Sequence, residues 1–143
     1  MIDSINKLYN EKITVINRIR GPDLGQREDI LVASSVDSVL YRFKSNYISN
    51  NGNVSKQQEL IVLFSDISLY KPYKEFVSYK GSSDFFTLSL GDYIVLGDIF
   101  DEVNSSNIRD ILSKYEPYVY KIQSINKAKN RGFSVAKIEV ECL

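Results

Sequence analysis

Val36-Asp37-Ser38-Val39-Leu40-Tyr41-Arg42-Phe43-Lys44-Ser45-Asn46-Tyr47-Ile48 runs into Asn50-Asn51-Gly52-Asn53 and returns as Val54-Ser55-Lys56-Gln57-Gln58-Glu59-Leu60-Ile61-Val62-Leu63-Phe64-Ser65. Val39, Tyr41, Phe43 and Tyr47 share one face of the outgoing stretch, while Arg42, Lys44 and Asn46 share the other, which is the two-residue period of a β-strand. Asn and Gly tolerate positive φ, so residues 50–53 read as a hairpin turn. The returning strand starts polar and ends in five consecutive apolar residues. Its second half is therefore expected to be buried on both faces, and its first half to project, giving a hairpin arm over residues 44–58. A hairpin this long points to a mainly β protein.

The flanking chain extends that reading. Ile2, Ile5, Leu8 and Tyr9 fall at helical spacing, which predicts a short N-terminal helix. Ile13, Val15 and Ile19 alternate with Thr14, Arg18 and Arg20 as a half-buried strand, stopped by Gly21-Pro22-Asp23-Leu24-Gly25. A second strand is expected at residues 30–33, separate from the long one that starts at Val36. Residues 66–90 break the periodicity and read as an aromatic, proline-containing loop, whose large rings anchor it on the core or face a partner. Leu88-Ser89-Leu90-Gly91-Asp92 turns into a strand at 93–96. One inserted helix near residues 105–116 follows, capped by Ser105 or Ser106, carrying Ile108, Ile111, Leu112 and Tyr115 on one face, and stopped by Pro117. Tyr118, Tyr120 and Ile122 alternate in the next strand. The last strand shifts phase between Phe133/Val135 and Ile138/Val140, which predicts a bulge or twist near Ala136. The sum is a small β-barrel or sandwich of six to seven strands, since closure disposes of open edges.

At 143 residues the chain suits one domain over residues 1–143, with enough surface to bury for a core without staples. Eighteen basic residues balance eighteen acidic ones, which argues against bulk attraction to nucleic acid. The absence of histidine removes the commonest general base, the partner in Ser/His and Cys/His pairs, and the commonest transition-metal ligand. Cys142 is the only cysteine, so no intramolecular disulfide forms, and it lacks an activating histidine. No Gly-rich run precedes a helix as a phosphate cradle. These absences lead to the expectation of a non-enzymatic protein with no cofactor and no metal. The longest apolar run, residues 60–64, is far shorter than a membrane helix, and the N-terminus lacks the pattern of a signal peptide. A soluble protein made in the cytoplasm is expected.

Asp98, Asp101, Glu102 and Asn104 lie close in sequence, but without the spacing and central glycine of a calcium loop they read as the acidic lead-in to the helix. Charge is segregated. Residues 84–116 hold seven acids (84, 92, 98, 101, 102, 110 and 116) against Arg109 and Lys114, whereas residues 117–137 hold five bases (121, 127, 129, 131 and 137) and no acid. Opposed blocks of this kind either neutralise each other within one molecule or join one subunit to the next. In the second case Asp98, Asp101 and Glu102 face Lys121, Lys127, Lys129 and Arg131 across a head-to-tail contact. The same bases, with nearby tyrosines for stacking, also fit a small β-barrel that binds single-stranded nucleic acid.

The order of elements resembles the small head–tail connector proteins of tailed bacteriophages of Gram-positive hosts, of the head-completion or stopper type. The likeness is sharpest over residues 85–126, where Leu88-Ser89-Leu90-Gly91-Asp92-Tyr93-Ile94-Val95-Leu96-Gly97 introduces the acidic helix and Ile122-Gln123-Ser124-Ile125 follows it. The sequence departs from that pattern in lacking a His/Trp-rich final strand. The resemblance implies a virion protein of the phage neck, assembled as a hexameric ring between portal adaptor and tail. It would retain the packaged double-stranded DNA passing through its lumen and dock the tail. Tail terminators and other neck or collar rings are the nearest alternatives. In such a ring Tyr70, Tyr73, Phe76, Phe85 and Phe86 are candidate aromatic anchors between subunits.

Overall fold

The computed structural model describes residues 11–64, 67–129 and 136–142. Six strands close into one antiparallel barrel: β1 (Glu11–Ile19), β2 (Ile30–Asn50), β3 (Asn53–Phe64), β4 (Tyr93–Leu96), β5 (Val119–Lys129) and β6 (Ala136–Cys142), in the order β1-β2-β3-β6-β5-β4, with β4 returning to β1. Two helices are inserted, α1 (Tyr73–Ser78) and α2 (Ile108–Tyr115). The expected N-terminal helix lies outside the described residues.

The core follows the two-residue period. Ile13 and Val15 of β1 meet Val36 and Val39 of β2, Leu60, Val62 and Phe64 of β3, Ile94 of β4 and Ile122 of β5 inside the barrel. As the apolar run predicts, β3 is also covered on its other face, where Ile61 is buried.

One expectation is corrected by a bulge, and a second bulge lies where none was expected. Residues 30–33 and the strand from Val36 form one continuous β2, not two strands. Its inward positions change parity, from Val32, Ser34 and Val36 to Val39, because the register with β1 slips between Ile13↔Val36 and Glu11↔Val39. That phase change in the apolar pattern imitates a strand break. Likewise, β6 pairs without interruption over 136–141, and the irregularity lies in β5, where Ile122↔Cys142 is followed by Ser124↔Glu141 and Gln123 is the extra residue. Phe133 and Val135 lie outside the described residues.

Residues 67–90 also differ from the expected loop, because α1 forms directly after Pro72. Six residues are too few to show a helical period in sequence, and the turn exists because it docks. Phe76 is fully buried against Ile19 and Val32. Phe86 stacks on Phe64 at 5.6 Å between ring centroids, and its backbone N–H donates to Leu69 O while its carbonyl accepts from Lys71 N–H. The connector thus plugs the end of the barrel where β1 finishes and β4 begins. Helix α2 has the expected place, but neither Ser105 nor Ser106 caps it. Asn104 Oδ1 accepts from the N–H groups of Ser106 and Asn107, and Asn107 Oδ1 accepts from Asn104 N–H. Pro117 follows the helix through a cis peptide.

Candidate functional site

The pairing registers place the two ends of the barrel and what leaves each. β1 pairs with β2 only as far as Val39, and β3 pairs with β6 only from Leu60, yet β2 and β3 pair with each other from Val39↔Phe64 to Asn50↔Asn53. Beyond the barrel this hairpin has no other strand beside it among the described residues. Its turn is sharp, with φ 53° at Asn51 and 81° at Gly52. The arm leaves the end of the barrel where β1 begins. The β5–β6 hairpin leaves the opposite end, because β4 pairs with β5 only as far as Lys121 and β3 reaches only Ile138, whereas β5 and β6 continue to Lys129↔Ala136.

The end beside the arm is an open mouth of about 910 Å³, walled by Tyr41, Phe43, Leu96, Tyr118 and Tyr120 with Glu11 and Lys12 at its rim. Phe43 and Tyr120 face each other at 6.0 Å. Phe43 and Tyr118 are about half exposed. Burial, and for Tyr41 the nearby Glu11 carboxylate, pushes the Tyr41 and Tyr120 hydroxyls above the ordinary tyrosine range, so both remain neutral donors.

Asp98, Asp101 and Glu102 follow β4 at this same end. Asp98 reaches Lys12 at 3.9 Å and accepts from the Ser35 hydroxyl. Asp101 accepts from Lys114 Nζ at 2.9 Å and from the Tyr115 hydroxyl at 3.0 Å, and these bonds hold its carboxyl below the usual range. Glu102 is exposed. The three carboxylates therefore have separate surroundings. Among the described residues no three metal-ligating side chains converge.

The basic residues gather at the plugged end. Lys121 sits opposite Tyr93 at the start of β4, and Lys127 and Lys129 continue β5 away from it. Arg131 lies outside the described residues. Arg18 and Arg20 are exposed at the same end, a contribution the sequence reading did not include. Of these blocks, Asp98, Asp101 and Glu102 lie past one end of β4 and Lys121 lies at the other, whereas Asp92 is buried in the turn beside Lys121.

Of the aromatic anchors, Phe76 and Phe86 are buried within the fold, and Tyr70 packs on Phe86 at 5.9 Å. Phe85 stacks on Tyr79 at 4.3 Å beneath Lys71 Nζ. The Tyr73 hydroxyl donates to the Asp23 carboxylate at 2.5 Å and accepts from Arg20 N–H at 3.1 Å. All five rings fasten the connector to the barrel.

A buried polar cluster at the plugged end escaped the sequence reading. Asn17 and Asp92 are both buried, and the Asn17 side-chain amide donates to the Asp92 carboxylate at 2.9 Å and to Thr87 O at 2.6 Å, while its oxygen accepts from Thr87 N–H at 3.1 Å. Asp92 also accepts from Arg18 N–H at 3.3 Å. Burial pushes its carboxyl up to about 6, partly offset by these bonds and by the Arg18 charge. The signal available in sequence was an Asn at an inward position of β1.

A family model matches residues 8–143, nearly the whole chain. The chain belongs to the DUF6751 family. That family is described as one of unknown function, so DUF6751 membership fixes kinship and leaves the activity to be argued from geometry. No curated protein and no solved structure matches this DUF6751 chain. No helix among its described residues is long and apolar enough to cross a membrane.

Proposed function

We propose that this protein is a ring-forming structural component of a tailed-phage neck, of the stopper type. It would sit between portal adaptor and tail, retain packaged DNA and dock the tail. One observation carries the reading beyond the sequence resemblance over residues 85–126. Two β-hairpins leave opposite ends of one small closed barrel, the long β2–β3 arm at the acidic end and β5–β6 at the basic end. A subunit placed between two different assemblies needs contact elements on both of its ends and a rigid body between them. A closed barrel gives that body, since it has no free edges of its own. Different contact elements on the two ends suit heterologous contacts, which build rings when the rotation closes.

The test is electron microscopy of particles from a phage or lysogen with the gene deleted. Separate tails beside heads that have lost their DNA are the expected result. Tails of uncontrolled length would assign the protein as a terminator instead, and normal infectious particles would overturn a neck role altogether.

A further inference from the structure

Phe100 is 92% exposed, the most exposed of the large apolar side chains described. It is not on a loose loop. On one side Ile99 N–H donates to Thr14 Oγ1 at 3.2 Å, and on the other Asp101 is held by Lys114 and Tyr115. An aromatic ring held in water by fastened neighbours has the character of an interface anchor, because little ordering entropy remains to be lost on docking. Asp98, Asp101 and Glu102 flank it in sequence; Asp98 and Asp101 already face Lys12 and Lys114, and Glu102 is exposed.

The complementary surface is at the other end of β4. Leu90 is 68% exposed and lines two clefts of about 200 Å³ and 210 Å³. Arg18 lines both, Lys121 the first and Arg20 the second, and Ile16 and Leu31 add apolar wall to the first. Of these cations Arg18 has a loose partner, with its Nε 3.8 Å from Asp29. The Asp92 carboxylate on the cleft wall is turned to Asn17 and Arg18 N–H. An exposed leucine beside clefts lined by Arg18, Arg20 and Lys121 matches an exposed aromatic ring followed by the exposed Glu102 carboxylate.

Resting on the ring reading above, we propose that the occupant of this surface is a second copy of the chain, whose Phe100 seats beside Leu90 while its acidic loop faces Arg18, Arg20 and Lys121. Knob and clefts lie beyond opposite ends of the same strand, so one molecule cannot satisfy both. The contact is heterologous and repeats from copy to copy.

Leu90→Cys and Phe100→Cys, combined in a Cys142→Ser background of the full chain, test the contact in purified protein under mild oxidation. Both positions are exposed, so neither substitution removes core. The double variant is expected to give a ladder of covalent species beyond dimer, and each single variant none beyond dimer. A double variant with no species beyond those of the singles overturns the contact. In sedimentation, Glu102→Lys and Lys121→Glu should each weaken self-association at least tenfold and together restore it; absence of restoration also overturns it. Failure here with a neck phenotype in the deletion leaves the neck reading standing without this interface. A ladder with normal deletion particles keeps the interface and removes the neck role.

Discussion

Asn17, on the inward face of β1, donates its side-chain amide to the Asp92 carboxylate across 2.9 Å of buried space, joining that strand to the Gly91–Asp92 turn that starts β4. The same side chain bonds both polar groups of the Thr87 backbone, so one residue fastens β1, the connector and β4 together. Asn17→Ala leaves a buried carboxylate and a buried peptide without these partners. Chemical denaturation should show a loss of about 3 kcal/mol. A loss below about 1 kcal/mol would mean that the pairings carry little weight.

Asp92 also sets a pH dependence of definite sign. Its folded carboxyl titrates at about 6 against 3.8 for the ordinary group. The unfolded chain therefore gives up this proton first, and folding stability from this group is full below the unfolded value and declines as pH rises through about 6. The gap corresponds to about 3 kcal/mol. Other carboxylates titrate too, so the informative quantity is the difference from Asp92→Asn, which cannot ionise. Urea titrations at pH 4 and pH 7.5 should show the wild type losing about that much relative to the variant; parallel behaviour would refute a buried ionisable Asp92.

Gly91 tests the turn from its backbone side. Its φ of +88° lies in the left-handed region, while an added Cβ would meet only Lys121 Cε at 3.8 Å, an ordinary contact. Gly91→Ala should therefore cost about 1–2 kcal/mol through conformation alone. A larger loss would show that the turn also positions Asp92 for its bonds. Thermal melts of this variant beside Gly91→Ala/Asp92→Asn separate the two, since positioning is lost already in the second background.

Much of the barrel was legible because its strands alternate: Ile13 with Val15, and Leu60 with Val62 and Phe64, announce inward faces directly. What stayed hidden has physical causes. Bulges shift the phase of β2 near Val36 and of β5 at Gln123, and a pattern that changes parity looks like two elements. Helix α1 is a single docked turn and a half, held by Phe76 burial and not by its own periodicity. Asn17 was passed over in the β1 alternation, because a polar residue inside a barrel makes sense only once Thr87 and Asp92, some 70 residues away, are brought beside it. The charge blocks were legible as runs of sequence, but β4 carries Asp98 to one end and leaves Asp92 and Lys121 at the other, where Arg18 joins them only through the β1–β4 pairing.

The connector's rings give a prediction about core and surface. Phe76 and Phe86 are buried, so truncating either to Ala should cost about 3–5 kcal/mol by leaving a cavity. The Tyr73 ring is only half-buried, and Tyr73→Phe removes its bonds to Asp23 and Arg20 while keeping the ring. It should lose no more than about 1 kcal/mol. Equal losses for all three, measured by guanidinium denaturation, would mean that α1 is held by its polar contacts as much as by its apolar ones.

The β2–β3 arm separates stability from assembly. Lys44 and Glu59 are directly paired, so residues 45–58 can be replaced by an Asn-Gly turn that joins them without changing register. The pairs removed, from Ser45↔Gln58 to Asn50↔Asn53, touch no other strand among the described residues, and an isolated two-stranded ribbon contributes little to a fold. The shortened protein should melt within a few degrees of the wild type. If the arm reaches a neighbouring component of the neck, the same protein supplied in place of the wild type should leave heads and tails unjoined. Particles that assemble and infect normally with the shortened arm would show that the contact lies elsewhere on the barrel. A large fall in melting temperature would show instead that the arm contributes to the stability of the barrel.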